Sequence, residues 1–306
     1  MTVDVVAIGN ANIDLILLAE KFPKRDEKVI VREINETPGG SAGNFATGMS
    51  RLGVKTGFIG KIGDDEYGKK FIESLLAENI DVSQIKKVKE VRTGMTVIIN
   101  TVRGGHVLYA YRGANNLLGF DDFNLDYIGK AKVFHLASIN KKLLEAAIKT
   151  REKVDTKLSL DPGRQVLKMG LKKLESSLKY ADFLFMNVTE FQLLTGKSPA
   201  SSSIKELAER LDAIVSIQRG KHGSIVSDGK QVIEIPAFKV NVVDTTGAGD
   251  AYAVGFIFAA LKNESIYKCG VYGNAVAAMQ ITKVGGRNGL PTVSELEQFL
   301  AQNVKD

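Results

Sequence analysis

The sequence contains few of the residues on which disulfides, zinc clusters and long linkers depend. One cysteine among 306 residues, Cys269, excludes an intrachain disulfide and a cysteine zinc cluster. The three histidines, His106, His135 and His222, lie too far apart in sequence to form a local metal-binding motif. Six prolines and no Ser/Gly tract argue against a long linker. A secreted protein held together by disulfides is therefore excluded.

Long hydrophobic runs are also missing. The longest apolar stretch, Ala251–Leu261, falls far short of the roughly 20 residues that a transmembrane helix needs. The segment Met1–Asp4 lacks the basic residues that precede the apolar part of a secretory signal. We therefore expect a cytoplasmic protein with no membrane partner.

Charge of one sign is in only modest excess. The chain has 41 basic and 35 acidic residues, a formal net charge of +6. The basic residues are scattered among acidic ones, which argues against a nucleic-acid-binding surface. A modest positive field favours anionic small molecules such as nucleotides.

Short apolar runs alternate with longer amphipathic segments, the pattern of a mostly parallel sheet covered by helices. Val3–Ile8 is apolar at nearly every position and predicts a buried first strand. Further strands are predicted at Val54–Ile59, Val133–Leu136, Leu158–Leu160, Phe183–Met186 and Ile214–Ile217. From Asp250 onward the pattern predicts helices at Ala251–Leu261, Ile266–Thr282 and Val293–Asn303. We expect a single α/β domain over residues 1–306.

Two regions depart from this alternation. Lys28–Ile34 alternates like a half-exposed strand, and Met95–Asn100 and His106–Arg112 are strand-like and joined by a hairpin signal. Strands with one solvent-exposed face inside an α/β chain predict a small separate sheet. This sheet, formed by about 28–36 and 95–113, is a candidate lid. The alternative is an antiparallel extension at the edge of the main sheet.

The strongest local signal for chemistry is the segment Asp244–Asp250, which precedes an apolar helix. Its glycines allow backbone N–H groups to point into one concavity, where the helix N-terminus favours an anion. Asp250 at the helix start is suited to take a proton from a hydroxyl while a phosphoryl group moves onto that oxygen. The alternative is an N-capping aspartate after a glycine-rich turn.

Two further segments combine glycine with hydrogen-bonding side chains. Pro38–Asn44 opens a helix, and its paired glycines allow a ligand to approach the backbone closely. Asn10–Asp14 follows the first strand directly, in a loop expected at the carboxyl ends of the parallel strands, where ligands bind. Asn and Asp suit a polyhydroxyl ligand there. Each segment taken alone also fits ordinary turn and cap residues.

Together these segments resemble the ribokinase family, also called the PfkB family of carbohydrate kinases. Gly39–Ala46, with Gly53 and Gly63 at the expected intervals, is similar to the N-terminal signature of the family. The other matching segments are Asp244–Ile257, Asn187–Glu190 and Gly285–Thr292. The resemblance implies a ribokinase-like three-layer α/β domain with a central, mostly parallel sheet and a small β-sheet lid.

The resemblance also implies roles for individual residues. Asp250 would be the catalytic base, and Gly247, Ala248 and Gly249 would form the anion hole for the transferred phosphoryl group. The residues that would hold the hydroxyl groups of the substrate are Asn12, Asp14, Gly39, Gly40 and Asn44.

The implied cofactors are ATP and Mg²⁺, with K⁺ in potassium-activated members of the family. Asn187 and Glu190 would act near the nucleotide phosphates, with Glu190 organising Mg²⁺ through water. Asn274 lies where the family meets the nucleotide base. Asp244 and Thr246 match positions that help bind a monovalent cation.

The sequence departs from the family pattern in two places. Many members have Thr-x-Gly where this chain has Gln218–Gly220, so Gln218 and Gly220 are expected at the nucleotide, with ADP or GTP as alternative donors. Ala137–Asn140 has no acidic residue for a sugar, so ribose specificity is not supported. Arg112 could place a cation near a phosphorylated or acidic substrate; the alternative is an arginine on the lid surface.

The predicted function is transfer of the γ-phosphoryl group of ATP to a hydroxymethyl group of a small sugar or sugar-like substrate. Within the family the alternatives are a nucleoside kinase and a sugar-phosphate kinase. An alternative of another class is a non-catalytic sugar- or nucleotide-binding sensor on the same fold. An exposed lid sheet with an apolar face favours a homodimer through the lid.

Overall fold

A computed structural model describes residues 2–304 of the protein. Residue 1 of the Met1–Asp4 segment and residues 305 and 306 of the expected domain lie outside this range. The strands are β1 (Val5–Gly9), β2 (Asn12–Ala19), β3 (Val31–Gly39), β4 (Thr56–Gly63), β5 (Asp81–Val88), β6 (Gly94–Thr101), β7 (His106–Tyr111), β8 (Val133–Ala137), β9 (Lys157–Asp161), β10 (Phe183–Asn187), β11 (Ile214–Gln218), β12 (Ser224–Ser227) and β13 (Val232–Ile235). The α-helices are α1 (Ser41–Arg51), α2 (Glu66–Leu76), α3 (Leu125–Ile128), α4 (Lys141–Arg151), α5 (Gly163–Leu167), α6 (Leu171–Leu178), α7 (Val188–Thr195), α8 (Ser201–Leu211), α9 (Ala248–Leu261), α10 (Ile266–Gln280) and α11 (Val293–Asn303).

The main sheet has nine strands in the order β13-β12-β11-β10-β9-β8-β1-β4-β5. Neighbouring strands from β11 through to β5 run parallel, whereas β12 and β13 pair antiparallel at one edge. Because parallel strands end at the same edge, the carboxyl ends of β1, β8, β9, β10 and β11 lie side by side. Asp161, Asn187 and Gln218, the last residues of β9, β10 and β11, lie along this edge.

Strand β1 shows why the sheet is buried on both faces. Val6 and Ile8 belong to one hydrophobic core, and Val5 and Ala7 belong to another. Successive side chains of a strand point to opposite faces, so a strand covered on both sides is apolar throughout. The first core includes residues of α4 to α8, and the second includes residues of α1, α2, α9, α10 and α11. The result is a helix–sheet–helix sandwich of three layers.

The apolar run at the start of α9 is explained by its central position. Residues 250–259 are all buried, and the helix packs against both α10 and α1. A helix that is hydrophobic on all sides is typical of the interior of a large domain. Among residues 2–304, no helix is long and apolar enough to cross a membrane.

A second sheet of four strands, in the order β3-β2-β6-β7, stands apart from the main sheet. The predicted α/β architecture with a small additional sheet is therefore confirmed, and an edge extension of the main sheet is wrong. One interpretation needs correction: the expected loop Asn10–Asp14 ends at Ala11, and β2 begins at Asn12. Because β2 pairs with β3 on one side and β6 on the other, it is a central strand of the small sheet.

Three strands of the main sheet have no counterpart in the sequence-based prediction. They are β5, β12 and β13, which lie at the two edges of the sheet. The burial of β5 is mixed, with exposed and half-buried positions, so it lacks the continuous apolar run of the central strands. Short edge strands are specified by pairing with a neighbour more than by their own hydrophobicity.

Candidate active site

The turn before α9 has a shape that only glycine permits at one position and that leaves open space at another. Gly247 has φ +76°, and a Cβ there would lie 2.6 Å from the carbonyl oxygen of Gly286. Ala248 donates its N–H to the Thr245 carbonyl at 3.2 Å, which closes the turn. At Gly249, a Cβ would meet nothing within 4 Å. The first turn of α9 therefore presents its positive end to an open space that an anion can enter.

Asp250 lies in the first turn of α9 with its side chain buried. It is 9% exposed, and its Oδ2 accepts a hydrogen bond from Nδ2 of Asn44 at 2.7 Å. Burial raises the pKa of Asp250 to about 6, against the opposing effects of hydrogen bonds from Asn44 and Ser41 and the charge of Arg287. A buried carboxylate with a pKa near neutrality can accept a proton from a bound hydroxyl group.

Arg287 is a residue of this site that sequence reasoning missed. It is 8% exposed; its Nε donates to Oδ1 of Asn44 at 2.9 Å, and its Nη2 donates to the Gly39 carbonyl at 2.8 Å. Burial lowers its pKa to about 10, so the guanidinium stays cationic at neutral pH. The sequence places it in a glycine-rich loop, and nothing in that pattern indicates burial.

The predicted acceptor residues Asp14 and Gly39 are in direct contact across paired strands. A Cβ at Gly39 would lie only 2.0 Å from Oδ2 of Asp14, so the carboxylate occupies the space that a side chain would fill. Burial raises the pKa of Asp14, while a hydrogen bond with Thr96 and the charge of Arg287 lower it. Gly40 has φ +85°, and a Cβ there would collide with the Asn10 carbonyl.

Asn12 is held in place by a second residue that received no role from the sequence, Asn115. The buried Asn115 donates through Nδ2 to Oδ1 of Asn12 at 2.8 Å and accepts the Ala11 N–H through Oδ1 at 2.8 Å. A Cβ at Gly94 would lie near 2 Å from both amide side chains, 2.1 Å from Asn115 and 2.2 Å from Asn12. Asn115, in the segment that follows the small sheet, therefore holds the start of β2 in place.

Asn187 and Glu190 form a capping box at the start of α7. Oδ1 of Asn187 accepts the Glu190 N–H at 3.0 Å, and Oε2 of Glu190 accepts the Asn187 N–H at 2.9 Å. The pair thus has a structural role in starting the helix. It also lies at the carboxyl end of β10, at the same edge of the sheet as the α9 turn.

Gln218 ends β11 beside Asn187, with which it is paired in register. Its Nε2 is buried and has no hydrogen-bond partner among the described residues. A buried amide donor without a partner is costly in a folded protein. Gly220, two residues later, has φ +57°, and a Cβ there would meet nothing within 4 Å. Gln218 therefore has an unused buried donor, and the chain has open space two residues later at Gly220.

Asn274 and Asp244 make internal contacts that connect neighbouring segments. Asn274 is buried and donates through Nδ2 to the carbonyls of Ile235 and Pro236 at 3.2 and 3.0 Å. Asp244 accepts the Thr246 hydroxyl at 2.7 Å through Oδ1 and the Gly285 N–H at 2.8 Å through Oδ2. The Asp244 carboxylate thus joins the turn before α9 to the loop that carries Arg287.

Asp161, at the carboxyl end of β9, is a further residue that sequence reasoning missed. Desolvation of its carboxyl group raises its pKa well above the usual value, and the charges of Glu190 and Asp250 add to this. Its position directly after a buried strand is the signal that could have identified it. Within residues 2–304, no three His, Cys, Asp or Glu side chains come together as a metal site.

Arg112 lies where the small sheet meets the main domain. Its Nη2 donates to Oε1 of Gln165 in α5 at 2.7 Å. Arg112 therefore bridges the two parts of the molecule instead of extending freely into solvent.

Comparison with known proteins agrees with this geometry. Residues 3–293 match the pfkB family carbohydrate kinases. A nucleoside kinase of Methanothermobacter thermautotrophicus is 28% identical, with 98% of this chain and 96% of that protein covered. An ATP-dependent ribose-1-phosphate kinase of Halopiger xanaduensis is 29% identical, over 98% and 99% of the two chains.

Among solved structures, the nucleoside kinase of Methanocaldococcus jannaschii, an archaeal member of the ribokinase family, superimposes with a TM-score of 0.86. It is 26% identical and covers 98% of both chains. The ribokinase-like fold expected from the sequence is thereby confirmed. The chain belongs to the pfkB family of carbohydrate kinases and is an ATP-dependent phosphotransferase with an alcohol group as acceptor.

Proposed function

We propose that the protein transfers the γ-phosphoryl group of ATP to a hydroxymethyl group of a small sugar or nucleoside, with Asp250 as general base. The observation that carries the proposal is the buried Asp250 carboxylate, with a pKa of about 6, beside the open space at Gly249. A base of this pKa is largely ionised at pH 7 and accepts the hydroxyl proton as the O–P bond forms. The α9 turn, formed by Gly247, Ala248 and Gly249, stabilises the negative charge of the transferred group.

The acceptor side of the site is built from side chains and backbone that suit a polyhydroxyl ligand. Asp14 is a half-buried carboxylate, suited to accept hydrogen bonds from hydroxyl groups. Gly39 and Gly40 make room for the Asp14 carboxylate and the Asn10 carbonyl beside the ligand, and the amides of Asn12 and Asn44 border the same space. These residues orient the hydroxymethyl group toward Asp250, and such positioning accounts for much of the catalysis in phosphoryl transfer.

An unused hydrogen-bond donor, Nε2 of Gln218, supports ATP as the ligand on the nucleotide side of the site. The orphaned Nε2 of Gln218 points to an acceptor that the protein itself does not supply, and a phosphate oxygen is such an acceptor. Gly220 leaves room beside it, Asn187 borders the phosphates, and Asn274 holds the segment that faces the base. Glu190 uses one carboxylate oxygen in its capping box and has a second for water around Mg²⁺. When bound, Mg²⁺ neutralises charge on the phosphates.

Asp244 and Thr246 are proposed to bind K⁺ next to the catalytic turn. Their oxygens already lie together, since the Thr246 hydroxyl donates to Asp244 at 2.7 Å. Monovalent-cation dependence is tested by comparing turnover in potassium, sodium and tetramethylammonium buffers.

The small sheet is proposed to act as the lid of a single kinase domain over residues 1–306. It is also proposed to pair with the small sheet of a second copy of the chain, which gives a homodimer in the cytoplasm. Its exposed apolar side chains include Ile34 (64% exposed), Tyr109 (64%) and Tyr111 (48%). Apolar side chains grouped on one sheet favour contact with a partner. Sedimentation of wild type and Ile34→Lys tests the dimer: wild type should sediment as a dimer and the variant as a monomer.

A phosphorylated acceptor is a second candidate, favoured by Arg112. Its guanidinium is held by Gln165 at the junction of the small sheet and the main domain. Arginine is suited to bidentate recognition of phosphate or carboxylate. If this candidate is correct, Arg112→Gln raises KM for a sugar phosphate at least tenfold and leaves KM for an uncharged acceptor unchanged.

The decisive experiment is a phosphorylation screen of pentoses, hexoses, nucleosides and sugar phosphates with ATP, ADP and GTP as donors. The proposal expects ATP-dependent turnover of at least one class, with the phosphate on a primary hydroxyl group by ³¹P NMR. Binding of ligands without turnover in the presence of ATP and Mg²⁺ would instead support the sensor alternative.

A further inference from the structure

Arg287 is a buried cation that contacts Asn44 and the Gly39 carbonyl from the loop after α10. Its guanidinium contacts Asn44 through Nε at 2.9 Å and the Gly39 carbonyl through Nη2 at 2.8 Å. We infer that Arg287 is a positioning residue, which fixes the amide of Asn44 so that its NH₂ group faces Asp250. The inference rests on the proposed function, in which Asp250 is the base.

The chemistry of the guanidinium group determines the orientation of Asn44. Arginine has only hydrogen-bond donors, so the Asn44 atom opposite Nε has to be the oxygen. The NH₂ group of Asn44 then faces Oδ2 of Asp250, at 2.7 Å. If the amide were turned over, its NH₂ group would oppose the guanidinium and its oxygen would oppose the carboxylate. Arg287 therefore selects one of two amide orientations.

The surrounding backbone is shaped to accommodate this arrangement. A Cβ at Gly43 would lie 2.3 Å from Nη2 of Arg287, and a Cβ at Gly286 would lie 2.7 Å from Nδ2 of Asn44. The guanidinium carbon lies 5.6 Å from the centre of the Phe71 ring, within range of a cation–π interaction. Two glycines and an aromatic ring thus frame a side chain that a sequence pattern alone does not single out.

The electrostatics favour an active-site role over a purely structural one. No carboxylate among the described residues lies within ion-pair distance of Arg287, so its buried charge is compensated only from farther away. Burying a charge without a contacting partner is costly. The charged groups that face Arg287 from the elements around it are Asp14 on β2, Arg51 on α1, Glu78 after α2 and Asp250 on α9. Asp161 on β9 also faces Asp250.

Two substitutions separate the charge of Arg287 from its forked geometry. Arg287→Lys keeps the charge but cannot donate to both Asn44 and Gly39 with the same geometry. Arg287→Met keeps the approximate length of the side chain and loses both the charge and the forked hydrogen-bond donors. We expect kcat to fall about 10- to 100-fold in both variants, with KM for ATP changed less than threefold. The apparent pKa on the acidic limb of kcat/KM should rise in Arg287→Met and stay near the wild-type value in Arg287→Lys.

A matched control and a double variant test whether Arg287 acts through Asn44. Arg51 holds the same loop, donating through Nη1 to the carbonyls of Arg287 and Leu290 at 2.9 and 3.1 Å. Arg51→Met should lower Tm with the pH profile unchanged. Adding Arg287→Met to Asn44→Ala should cost less than a further threefold in kcat, because Asn44 is no longer there to be oriented.

Multiplicative losses in the double variant would overturn the inference, and so would a wild-type pH profile for Arg287→Met. If Arg287→Met does not fold, Arg287→Lys replaces it in the double variant with Asn44→Ala. A further loss in kcat of less than threefold then supports the inference, and multiplicative losses overturn it. ¹³C NMR titration of the Asp250 carboxyl and the ¹⁵N signal of the Asn44 amide need no turnover. Absence of turnover in wild type would therefore refute the proposed function, while an unchanged Asn44 amide signal in the Arg287 variants would refute the positioning role.

Discussion

Nδ2 of Asn44 lies 2.7 Å from Oδ2 of Asp250, although 206 residues separate the two in sequence. The contact joins the first turn of α1 to the first turn of α9. It brings the glycine-rich segment Pro38–Asn44 against the glycine-rich turn before α9. Arg287 completes the cluster on the far side of Asn44. Asn44, Asp250 and Arg287 thereby form one connected set of hydrogen bonds.

Removing the base should abolish most of the turnover without unfolding the protein. We expect Asp250→Asn to lower kcat by about 10²–10⁴-fold, the usual contribution of general-base catalysis. ATP binding, measured by calorimetry, should be nearly unchanged, because the nucleotide side retains all its groups. Asp155→Asn, at a fully exposed side chain, is the matched control and should retain wild-type turnover. Near-normal kcat in Asp250→Asn would refute the assignment of the base.

Turnover should depend on pH through the ionisation of Asp250. Its pKa of about 6 means that the carboxyl group is protonated, and unable to accept a proton, at pH 5. The kcat/KM for the acceptor should therefore rise from pH 5 to pH 7 with an apparent pKa of about 6 and then level off. A profile that is flat from pH 5 to pH 8 would contradict this prediction.

Asp250 should lower the stability of the protein at neutral pH. The pKa of Asp250 is about 6 in the folded protein, against an ordinary value of 3.8 for an aspartate side chain. Between these pH values the folded state binds more protons than the unfolded state, so stability is lost as pH rises. Asp250→Asn should be more stable than wild type by on the order of 2–3 kcal/mol at pH 8, with the difference vanishing near pH 3. Urea unfolding at both pH values measures this, and equal stability at pH 8 would count against it.

Two glycines of the α9 turn should respond in opposite ways to the same substitution. Gly249→Ala places a methyl group in open space on a helix, so folding should be unaffected or favoured by about 0.5–1 kcal/mol. The methyl group enters the anion space, so kcat should fall at least tenfold. Gly247→Ala should instead lower Tm, because its φ of +76° and the nearby Gly286 carbonyl exclude a side chain. Full activity in Gly249→Ala would show that the anion lies elsewhere.

The orphaned amide of Gln218 should act in nucleotide binding. Gln218→Ala removes a buried donor that has no partner in the protein, so Tm should stay the same or rise. KM for ATP should increase about 5- to 20-fold, with KM for the acceptor unchanged. Gln192→Ala, on the exposed surface of α7, serves as the control. A fall in Tm with unchanged KM for ATP would indicate a structural role only.

Much of the fold could be predicted because the central strands are continuous apolar runs, which are visible in the sequence. Val6 and Ile8 pack on one face and Val5 and Ala7 on the other, so β1 had to be apolar throughout. The edge strand β5 gave no such signal, since its mixed burial reflects pairing with β4. Likewise, the polar residues of Asn10–Asp14 predict a loop, whereas pairing with β3 and β6 makes the segment from Asn12 onward a strand.

The sequence by itself determined the α/β class, the two glycine-rich helix starts and the aspartate at the second of them. These features are local: they depend on hydrophobic periodicity and on backbone conformations that only glycine allows. Tertiary structure alone decided that Asn44 contacts Asp250, that Asn115 holds Asn12 and that Arg287 is buried against both the acceptor and the catalytic segments. Those contacts join residues about a hundred to more than two hundred positions apart, and their chemistry arises from burial, which no local pattern encodes.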